Sequence, residues 1–313
     1  MTSSPDQSTL DRIRSDGITI QVPCSTSNFG PGFDCLGAAL DRFLTVHVQP
    51  GKNELSLSYL GGYQPDVPDE ENLILTSLRT IAKQRGTTIP PLDIQVESEI
   101  PPGGGLGSSA AAIAAGGALG QLIATGTVNR ERLFEFGYQC EGHPDNIAPA
   151  VFGGVTLAYL VEDDAARCEQ IATDLPDLFL VDPDVQINTQ EAREILPDEL
   201  PRSDAVFNLT RTGLLVHAFK DERIDLLDEA MQDRIHQPYR AELLPGGTAV
   251  LDAGREAGAL GVWISGAGPA IGCFVRDGDR EPARAMAEVL EENGATAEVS
   301  PAELCVPGLH TSL

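Results

Sequence analysis

Short segments in which apolar and polar residues alternate recur along the chain and predict β-strands. Between them, apolar residues recur at the spacing of one helix face and predict α-helices. The predicted strands cover residues 17–23, 43–49, 54–60, 92–100, 154–160, 178–181, 261–265, 271–275 and 295–299. The predicted helices cover residues 72–85, 108–125, 130–140, 189–195, 204–219, 225–234, 247–257 and 281–293.

This mixed order of elements, without an internal repeat, favours two-layer α+β halves over a single doubly wound sheet. The acidic, loop-like stretch 162–174 is the best candidate for a linker, placed to within about ten residues. We therefore expect two domains, residues 1–165 and residues 166–313.

Composition narrows the classes of partner. The 313 residues carry a formal charge of −26, and this charge would repel nucleic acid and anionic membranes. The first 17 residues are polar and no later stretch is apolar enough for a membrane span, so we expect a soluble, cytoplasmic protein. Lysine occurs only at positions 52, 83 and 220, and an acidic surface that favours Arg over Lys suggests a salt-rich cytosol. The six cysteines are scattered without a Cys-x-x-Cys pair, which predicts small buried residues and no disulfide or zinc site.

A glycine-rich run, residues 101–112, lies directly between a predicted strand and a predicted helix. Glycines allow successive N–H groups to face one anion, and the start of a helix adds unpaired N–H groups. This pattern predicts a phosphate site; the alternative is an ordinary turn before a buried Ala helix. Within that helix, Gly116, Gly117 and Gly120 each cost about 1 kcal/mol relative to Ala, and close backbone packing is the expected compensation.

Two familiar nucleotide motifs fit this run poorly. A Walker A loop needs a Lys after its last Gly, and no lysine lies between Lys83 and Lys220. Residues 105–110 match the Gly-x-Gly-x-x-Ala dinucleotide pattern, but that motif also requires an acidic residue at the end of the next strand. Glu131 has the spacing and lies instead at a predicted helix start, which leaves the dinucleotide interpretation weak.

Three ordered motifs, residues 22–37, 101–112 and 264–272, together resemble the signatures of the GHMP kinases. The resemblance implies an N-terminal nucleotide-binding domain like the second domain of ribosomal protein S5 and a ferredoxin-like C-terminal domain. It also implies ATP between the domains, with Mg²⁺ bound by Ser109 and Glu141. Helix capping by Ser108 and Ser109, and a plain hairpin turn at 265–268, remain alternatives. The implied nucleotide-binding residues are Pro101, Pro102, Gly103, Gly104, Gly105, Leu106, Gly107, Ser108, Ser109, Ala110, Ala111, Gly266 and Gly268.

Residues 141–150 resemble the homoserine kinase branch of this family, which implies phosphoryl transfer from ATP to L-homoserine and, commonly, a homodimer. An amide cannot act as a base at neutral pH, so Asn146 would hold the acceptor hydroxyl by a hydrogen bond. The neighbouring carboxylate of Asp145 is the alternative residue for this position. Of the acceptor's charges, Asp34 would pair with the ammonium, and Arg193 and Arg240 with the carboxylate. The remaining implied pocket residues are Asn28 and His143, whereas His217 and His236 are expected to be structural.

Each of these polar residues also has a plain structural interpretation, such as turn capping for Asp34 or a solvated helix position for Arg193. Two rival functions therefore stay open. One is a GHMP kinase with another small-molecule acceptor, and the other is a non-catalytic nucleotide-binding protein that keeps the fold.

Overall fold

The computed structural model describes residues 4–312, except for the side chain of Asp163; residues 1–3 and 313 of the predicted domains lie outside the described residues. Strands and helices alternate along the described chain. The strands are β1 (Ile18–Ser27), β2 (Leu36–Pro50), β3 (Ser56–Gly62), β4 (Leu92–Ser98), β5 (Val155–Leu160), β6 (Ala166–Ala172), β7 (Leu178–Pro183), β8 (Gly261–Ile264), β9 (Ile271–Phe274), β10 (Ala297–Ala302) and β11 (His310–Ser312). The helices are α1 (Gln7–Ser15), α2 (Leu73–Arg85), α3 (Ser108–Thr125), α4 (Arg130–Glu141), α5 (Ile147–Phe152), α6 (Glu191–Glu194), α7 (Arg202–Lys220), α8 (Leu227–Ala230), α9 (Gln237–Arg240), α10 (Thr248–Glu256) and α11 (Glu281–Glu292).

The first sheet has seven strands and is organised around the long strand β2. Strand β2 pairs with β1 on one side, and on its other side with β5 near its start and β4 near its end. All of these pairs are antiparallel, whereas β3 joins β4 in parallel. Helices α2 and α3 pack on each other, and α3 also packs on β1. The end of β1 and the start of α3 are thereby brought together, and the functional site forms there.

The second sheet has the order β10–β7–β9–β8 with antiparallel pairs, the split β-α-β arrangement of ferredoxin-like domains. Side chains of β7 alternate between its two faces. Leu178 and Leu180 join the core of the first sheet, while Phe179 and Val181 join a second core beneath α10 and α11. Both faces of β7 are therefore covered. Two mainly antiparallel sheets, each with its own helices, confirm the predicted two-layer α+β organisation.

The predicted linker at 162–174 is wrong, because most of it forms β6, which pairs with β5. The predicted helix at 225–234 is also wrong beyond Ala230. There the Asp233 carboxylate accepts the main-chain N–H groups of Ile235, His236 and Gln237 and turns the chain. Strands β6 and β11 both lie beyond residue 165 yet belong to the first sheet, and the division at 165/166 stays a prediction.

Besides β6, four short elements were not predicted: α1, α5, α9 and β11. Helix α1 begins after Asp6, whose side chain accepts the N–H of Thr9 at 2.8 Å. Among the cysteines, Cys24, Cys273 and Cys305 are buried as expected and no described cysteine forms a disulfide, but Cys140 is exposed on α4.

Helix α3 is the buried helix of the first domain, and its glycines are used for close packing as predicted. A Cβ at Gly116 would lie 2.9 Å from the Cα and carbonyl carbon of Ile74 in α2. The sequence-based expectation that no stretch is apolar enough for a membrane span does not hold for α3. Alone among the helices between residues 4 and 312, it is long and apolar enough to cross a bilayer. Its residues are mostly buried by the fold, as in the core helix of a globular domain.

We predict that Gly116→Ala destabilises the protein by about 1–3 kcal/mol, because the new methyl group meets main-chain atoms that cannot move aside. Gly213→Ala, in the middle of α7 with nothing within 4 Å of the new Cβ, is the matched control. It should stabilise by about 0.5–1 kcal/mol through helix propensity. Urea unfolding measures both changes, and similar values for the two variants would contradict the packing explanation.

Candidate active site

A buried chain of hydrogen bonds joins the two domains at the site. Trp263 Nε1 donates to Thr26 Oγ1 at 2.8 Å, and the Thr26 and Ser265 hydroxyl oxygens lie 2.8 Å apart. The Ser265 hydroxyl also donates to the Gly105 carbonyl at 2.7 Å. Each hydroxyl has one proton, so Thr26 must donate to Ser265. All four groups therefore form a single directed chain from β8 through β1 to the glycine-rich loop.

Main-chain contacts hold the same three segments together. Gly266 N donates to Ser27 O at 3.1 Å, and Ser25 N donates to Leu106 O at 3.1 Å. Gly105 has φ of +77°, and a Cβ there would lie 2.7 Å from the carbonyl oxygen of Gly268. Only glycine fits this approach, which brings the loop before α3 against the loop between β8 and β9.

The first turn of α3 is open to an anion. Gly107 occupies the N-cap position with φ of +68°, no side chain caps the helix, and no acidic residue lies in its first turn. The capping alternative for Ser108 and Ser109 is therefore wrong. Free N–H groups and the positive end of the helix dipole face the cleft, which is the arrangement that binds phosphate.

The Ser109 hydroxyl instead donates a short hydrogen bond to Glu141 Oε1. Glu141 is the last residue of α4, where the helix dipole disfavours a carboxylate. Its Oε2 atom is buried and has no hydrogen-bond partner in the part of the chain that the structure describes. Burial raises the pKa of the Glu141 carboxyl, and the charge of His143 opposes this only in part. A carboxylate left in this state is well suited to accept a cation.

The turn between α4 and α5 carries three polar side chains into the cleft. Ser25 Oγ donates to Asn146 Oδ1 at 2.9 Å, so the amide nitrogen of Asn146 stays free to donate. The His143 Nδ1 atom lies 2.9 Å from Asp145 Oδ1. Asp145 is 1% exposed and engaged by this imidazole, whereas Asn146 has an unused donor.

Burial and pairing shift both members of the His143–Asp145 pair. Burial alone would lower the pKa of His143, but its hydrogen bond to Asp145 and the charge of that carboxylate raise the pKa above 6.5. Burial alone would raise the pKa of Asp145, but the hydrogen bond and charge of His143 lower that pKa below 3.8. The pair is thus most favourable when His143 is protonated and Asp145 is ionised.

Arg193 and Asp34, predicted to bind opposite charges of an acceptor, bind each other. Arg193 Nη2 lies 2.8 Å from Asp34 Oδ1 and Arg193 Nη1 lies 3.1 Å from Asp34 Oδ2. Asp34 has φ of +55°, and its N–H donates to Asn28 Oδ1 at 2.8 Å. Asn28 Nδ2 donates to Gly266 O at 2.9 Å, so both ends of this amide shape the pocket.

Arg240 is 2% exposed and has no ion pair among residues 4–312. Its Nε donates to Ala192 O at 3.1 Å and its Nη1 to Gly266 O at 2.8 Å. Burial and the neighbouring Arg193 lower the pKa of the Arg240 guanidinium to about 10. Both arginines lie near the Phe33 ring, whose centre is 5.1 Å from Arg240 Cζ and 5.8 Å from Arg193 Cζ.

Most of the predicted site residues line one cleft. Five predicted residues do not line it. Pro102 lines an adjoining cavity, and the side chains of Leu106, Ala110 and Ala111 are buried in the core. Asp34 contacts the cleft lining through its ion pair with Arg193. His236 is fully buried, and its Nε2 lies 2.7 Å from Gly30 O, a structural setting. The predicted residues that line the cleft are Asn28, Pro101, Gly103, Gly104, Gly105, Gly107, Ser108, Ser109, Glu141, His143, Asn146, Arg193, Arg240, Gly266 and Gly268.

Sequence reasoning missed Ser25, Phe33 and Thr189. Ser25 and Phe33 stand inside the first motif, and an aromatic residue directly before Asp34 was the available signal. Thr189 lines the cleft just before α6, at the start of the predicted helix 189–195, where no sequence pattern assigned it a role of its own.

The adjoining cavity is mostly apolar and shares Gly103, Ser108 and Ser109 with the cleft. Large apolar side chains at its rim are unusually exposed: Tyr63 by 48%, Val67 by 43% and Leu73 by 39%. A ligand with a flat apolar group in this cavity and an anionic group on the glycine-rich loop would cover these three side chains.

Comparison with known proteins places the chain among phosphoryl-transfer enzymes. Residues 72–154 match the GHMP kinases N terminal domain, and residues 215–296 match the GHMP kinases C terminal domain. The homoserine kinase of Desulfitobacterium hafniense is 38% identical over 284 residues, covering 90% of this chain and 95% of that protein. The homoserine kinase of Thermus thermophilus is 37% identical over 278 residues, covering 88% and 94%.

Solved structures agree on the fold. The crystal structure of homoserine kinase from Cytophaga hutchinsonii superposes with a TM-score of 0.80 at 26% identity, covering 95% of this chain and 98% of that one. Mevalonate kinase of L. major in complex with R-mevalonate superposes with a TM-score of 0.66 at 13% identity, covering 91% and 94%. At that identity the second comparison concerns the fold alone, a two-domain GHMP kinase fold.

We predict that His143 adds stability that is complete below pH 6.5 and is lost as the pH rises through its raised folded-state pKa. The unfolded state binds fewer protons than the native state in this window, so the unfolding free energy falls with pH. Denaturant unfolding between pH 5.5 and 8.5 should show this fall in the wild type and a flatter profile in His143→Gln. Asp145→Asn, which removes the partner, should flatten the same region; equal slopes in all three proteins would contradict the coupling.

Proposed function

The chain belongs to the GHMP kinases, in their homoserine kinase branch, and we propose that its cleft transfers the γ-phosphoryl group of ATP to the hydroxyl of L-homoserine. The products are ADP and O-phospho-L-homoserine. One observation carries the assignment of the site: an amide-rich loop at a helix N-terminus lines the same cleft as Asn146, Arg193 and Arg240, with Asp34 paired to Arg193. The loop suits a nucleotide, and the cluster suits an amino acid.

The glycine-rich loop and the start of α3 hold the phosphates of ATP. Their N–H groups are fixed before the nucleotide arrives, so they stabilise charge on the transferred group without reorganising. The adjoining apolar cavity takes the adenine, whose ring would cover Tyr63, Val67 and Leu73. Gly266 and Gly268 bring the second domain to the same phosphate site.

Ser109 and Glu141 are the residues that would hold Mg²⁺. The partnerless Glu141 Oε2 and the Ser109 hydroxyl are hard oxygen donors of the kind this ion prefers. No group of three or more His, Cys, Asp or Glu suited to a metal occurs in residues 4–312, so phosphate oxygens and water would complete the coordination. When bound, the ion offsets negative charge on the phosphates.

Asn146 orients the acceptor hydroxyl. Because Ser25 occupies Oδ1, the Asn146 Nδ2 group is the one left to donate to the hydroxyl oxygen. An amide does not accept a proton at neutral pH, so the hydroxyl proton passes to a phosphate oxygen or to solvent. The engagement of Asp145 by His143 favours Asn146 over Asp145 for this position. Catalysis then rests on alignment and charge stabilisation.

The charged ends of homoserine select the substrate. Arg240 is buried and forms no ion pair with any described residue, so its guanidinium attracts the acceptor carboxylate, and Arg193 binds the same carboxylate. Asp34 takes the ammonium, while Asn28 and His143 shape the pocket around it. We further propose that the protein is a cytoplasmic homodimer and that its reaction is a step toward threonine. We also propose that it is most active in high salt.

An ADP-release assay in high salt, over L-homoserine, mevalonate, shikimate and galactose, tests the acceptor. We expect turnover with homoserine and, for the other three, rates at least about 1,000-fold lower. Mevalonate and shikimate have no ammonium to offer Asp34, and galactose has neither charge. Turnover with one of the other three compounds and none with homoserine would show that homoserine is not the acceptor. Absence of turnover with all four would favour a non-catalytic nucleotide-binding protein.

Glu141→Gln should lower kcat/KM by about 100-fold at low Mg²⁺ and recover in part at high Mg²⁺, because one anionic ligand is lost. Glu131→Gln, at the other end of α4 and exposed, is the matched control and should behave as wild type. Equal Mg²⁺ dependence in the two variants would remove Glu141 from the metal site.

A further inference from the structure

The ion pair between Asp34 and Arg193 occupies the very groups that an amino-acid acceptor needs. The guanidinium and carboxylate meet through two hydrogen bonds of 2.8 and 3.1 Å, the forked geometry that Arg also makes with a free carboxylate. An acceptor therefore cannot pair with either side chain until the two separate.

The two partners differ in how firmly they are held. Asp34 is fixed by its N–H bond to Asn28 Oδ1, and Asn28 is itself bonded to Gly266. Arg193 lies on α6, a helix of only four residues, and its side chain is 38% exposed. Arg193 is therefore the partner that moves when the pair opens.

Arg240 provides the reason to open it. This guanidinium is buried, donates to two main-chain carbonyls and to no other group in residues 4–312, and lies beside the same Phe33 ring as Arg193. A carboxylate that enters between Arg240 and Arg193 compensates both positive charges at once. Asp34 is then left ready for a cation.

We propose that the Asp34–Arg193 ion pair is a latch that only a zwitterionic acceptor exchanges without loss. The acceptor's ammonium replaces Arg193 at Asp34, and its carboxylate replaces Asp34 at Arg193. This inference rests on the proposed function and adds to it that the resting site is closed by its own binding groups.

Charge counting gives the latch its selectivity. A zwitterion exchanges one ion pair for two, whereas a ligand with a single charge leaves one protein charge unpaired in the cleft. An ion pair with 33% and 38% exposed partners opens readily, so the correct acceptor is not slowed. The unpaired charge that a wrong acceptor leaves behind is what rejects it.

Three acceptors that share a primary hydroxyl test the latch: L-homoserine, 3-aminopropan-1-ol, which lacks the carboxylate, and 4-hydroxybutanoate, which lacks the ammonium. The measurement is kcat/KM from ADP release. In the wild type we expect homoserine to exceed each of the others by about 1,000-fold. If the wild type turns over none of the three, both the proposed function and the latch are wrong.

The decisive variant is Arg193→Gln with 3-aminopropan-1-ol. The latch predicts a gain of about tenfold over wild type, because Asp34 is already free for the ammonium. If Arg193 served only as a carboxylate contact, an acceptor without a carboxylate would show no change. Arg240→Gln removes an equal positive charge nearby without freeing Asp34. With 3-aminopropan-1-ol, its kcat/KM should therefore be about tenfold lower than that of Arg193→Gln, close to the wild-type value.

Asp34→Asn supplies the reciprocal test with 4-hydroxybutanoate, which should gain about tenfold because Arg193 is released. Thermal unfolding of each variant shows whether a loss of activity comes from misfolding. If either Arg variant fails to fold, Asp34→Asn with 4-hydroxybutanoate decides whether the latch exists. Homoserine turnover by the wild type, combined with no gain in Arg193→Gln and Asp34→Asn, or with equal gains in Arg193→Gln and Arg240→Gln, would overturn the latch alone.

Discussion

The site depends on one buried chain of hydrogen bonds, from Trp263 through Thr26 and Ser265 to the carbonyl of Gly105. Trp263, Thr26 and Ser265 are fully buried, so a break among them leaves a donor or acceptor unsatisfied. These hydrogen bonds run from the second domain through β1 to the glycine-rich loop. The sides of the cleft are thus set relative to each other before any ligand binds.

Elements whose pattern is local were predictable, and those fixed by distant contacts were not. Strand β7 and helix α3 follow from runs of buried side chains, which both faces of a covered element require. The acidic stretch around β6 looked like a linker because a strand at a sheet edge exposes polar residues. Asp233 ends a predicted helix through its own main-chain hydrogen bonds, a competition that periodicity does not report.

The candidate site divides in the same way. Residues with chemistry, such as Glu141 and Asn146, stand in recognisable motifs, and the fold brings them to one cleft. The pairing of Asp34 with Arg193 joins residues 159 positions apart, and no local pattern encodes it. The role of Ser25 likewise depends on a contact across 121 positions. Sequence identified the groups, and tertiary structure decided which of them are free.

The carbonyl of Gly266 accepts hydrogen bonds from both Asn28 and Arg240, so one main-chain atom positions two side chains of the cleft. A point mutation deletes side chains and leaves carbonyls in place. Genetic variation can therefore reach this junction only through its two donors or through the backbone angle of residue 266, where φ is +57°. The residues around the rim of this cleft can therefore be substituted during evolution while the geometry at its centre is retained.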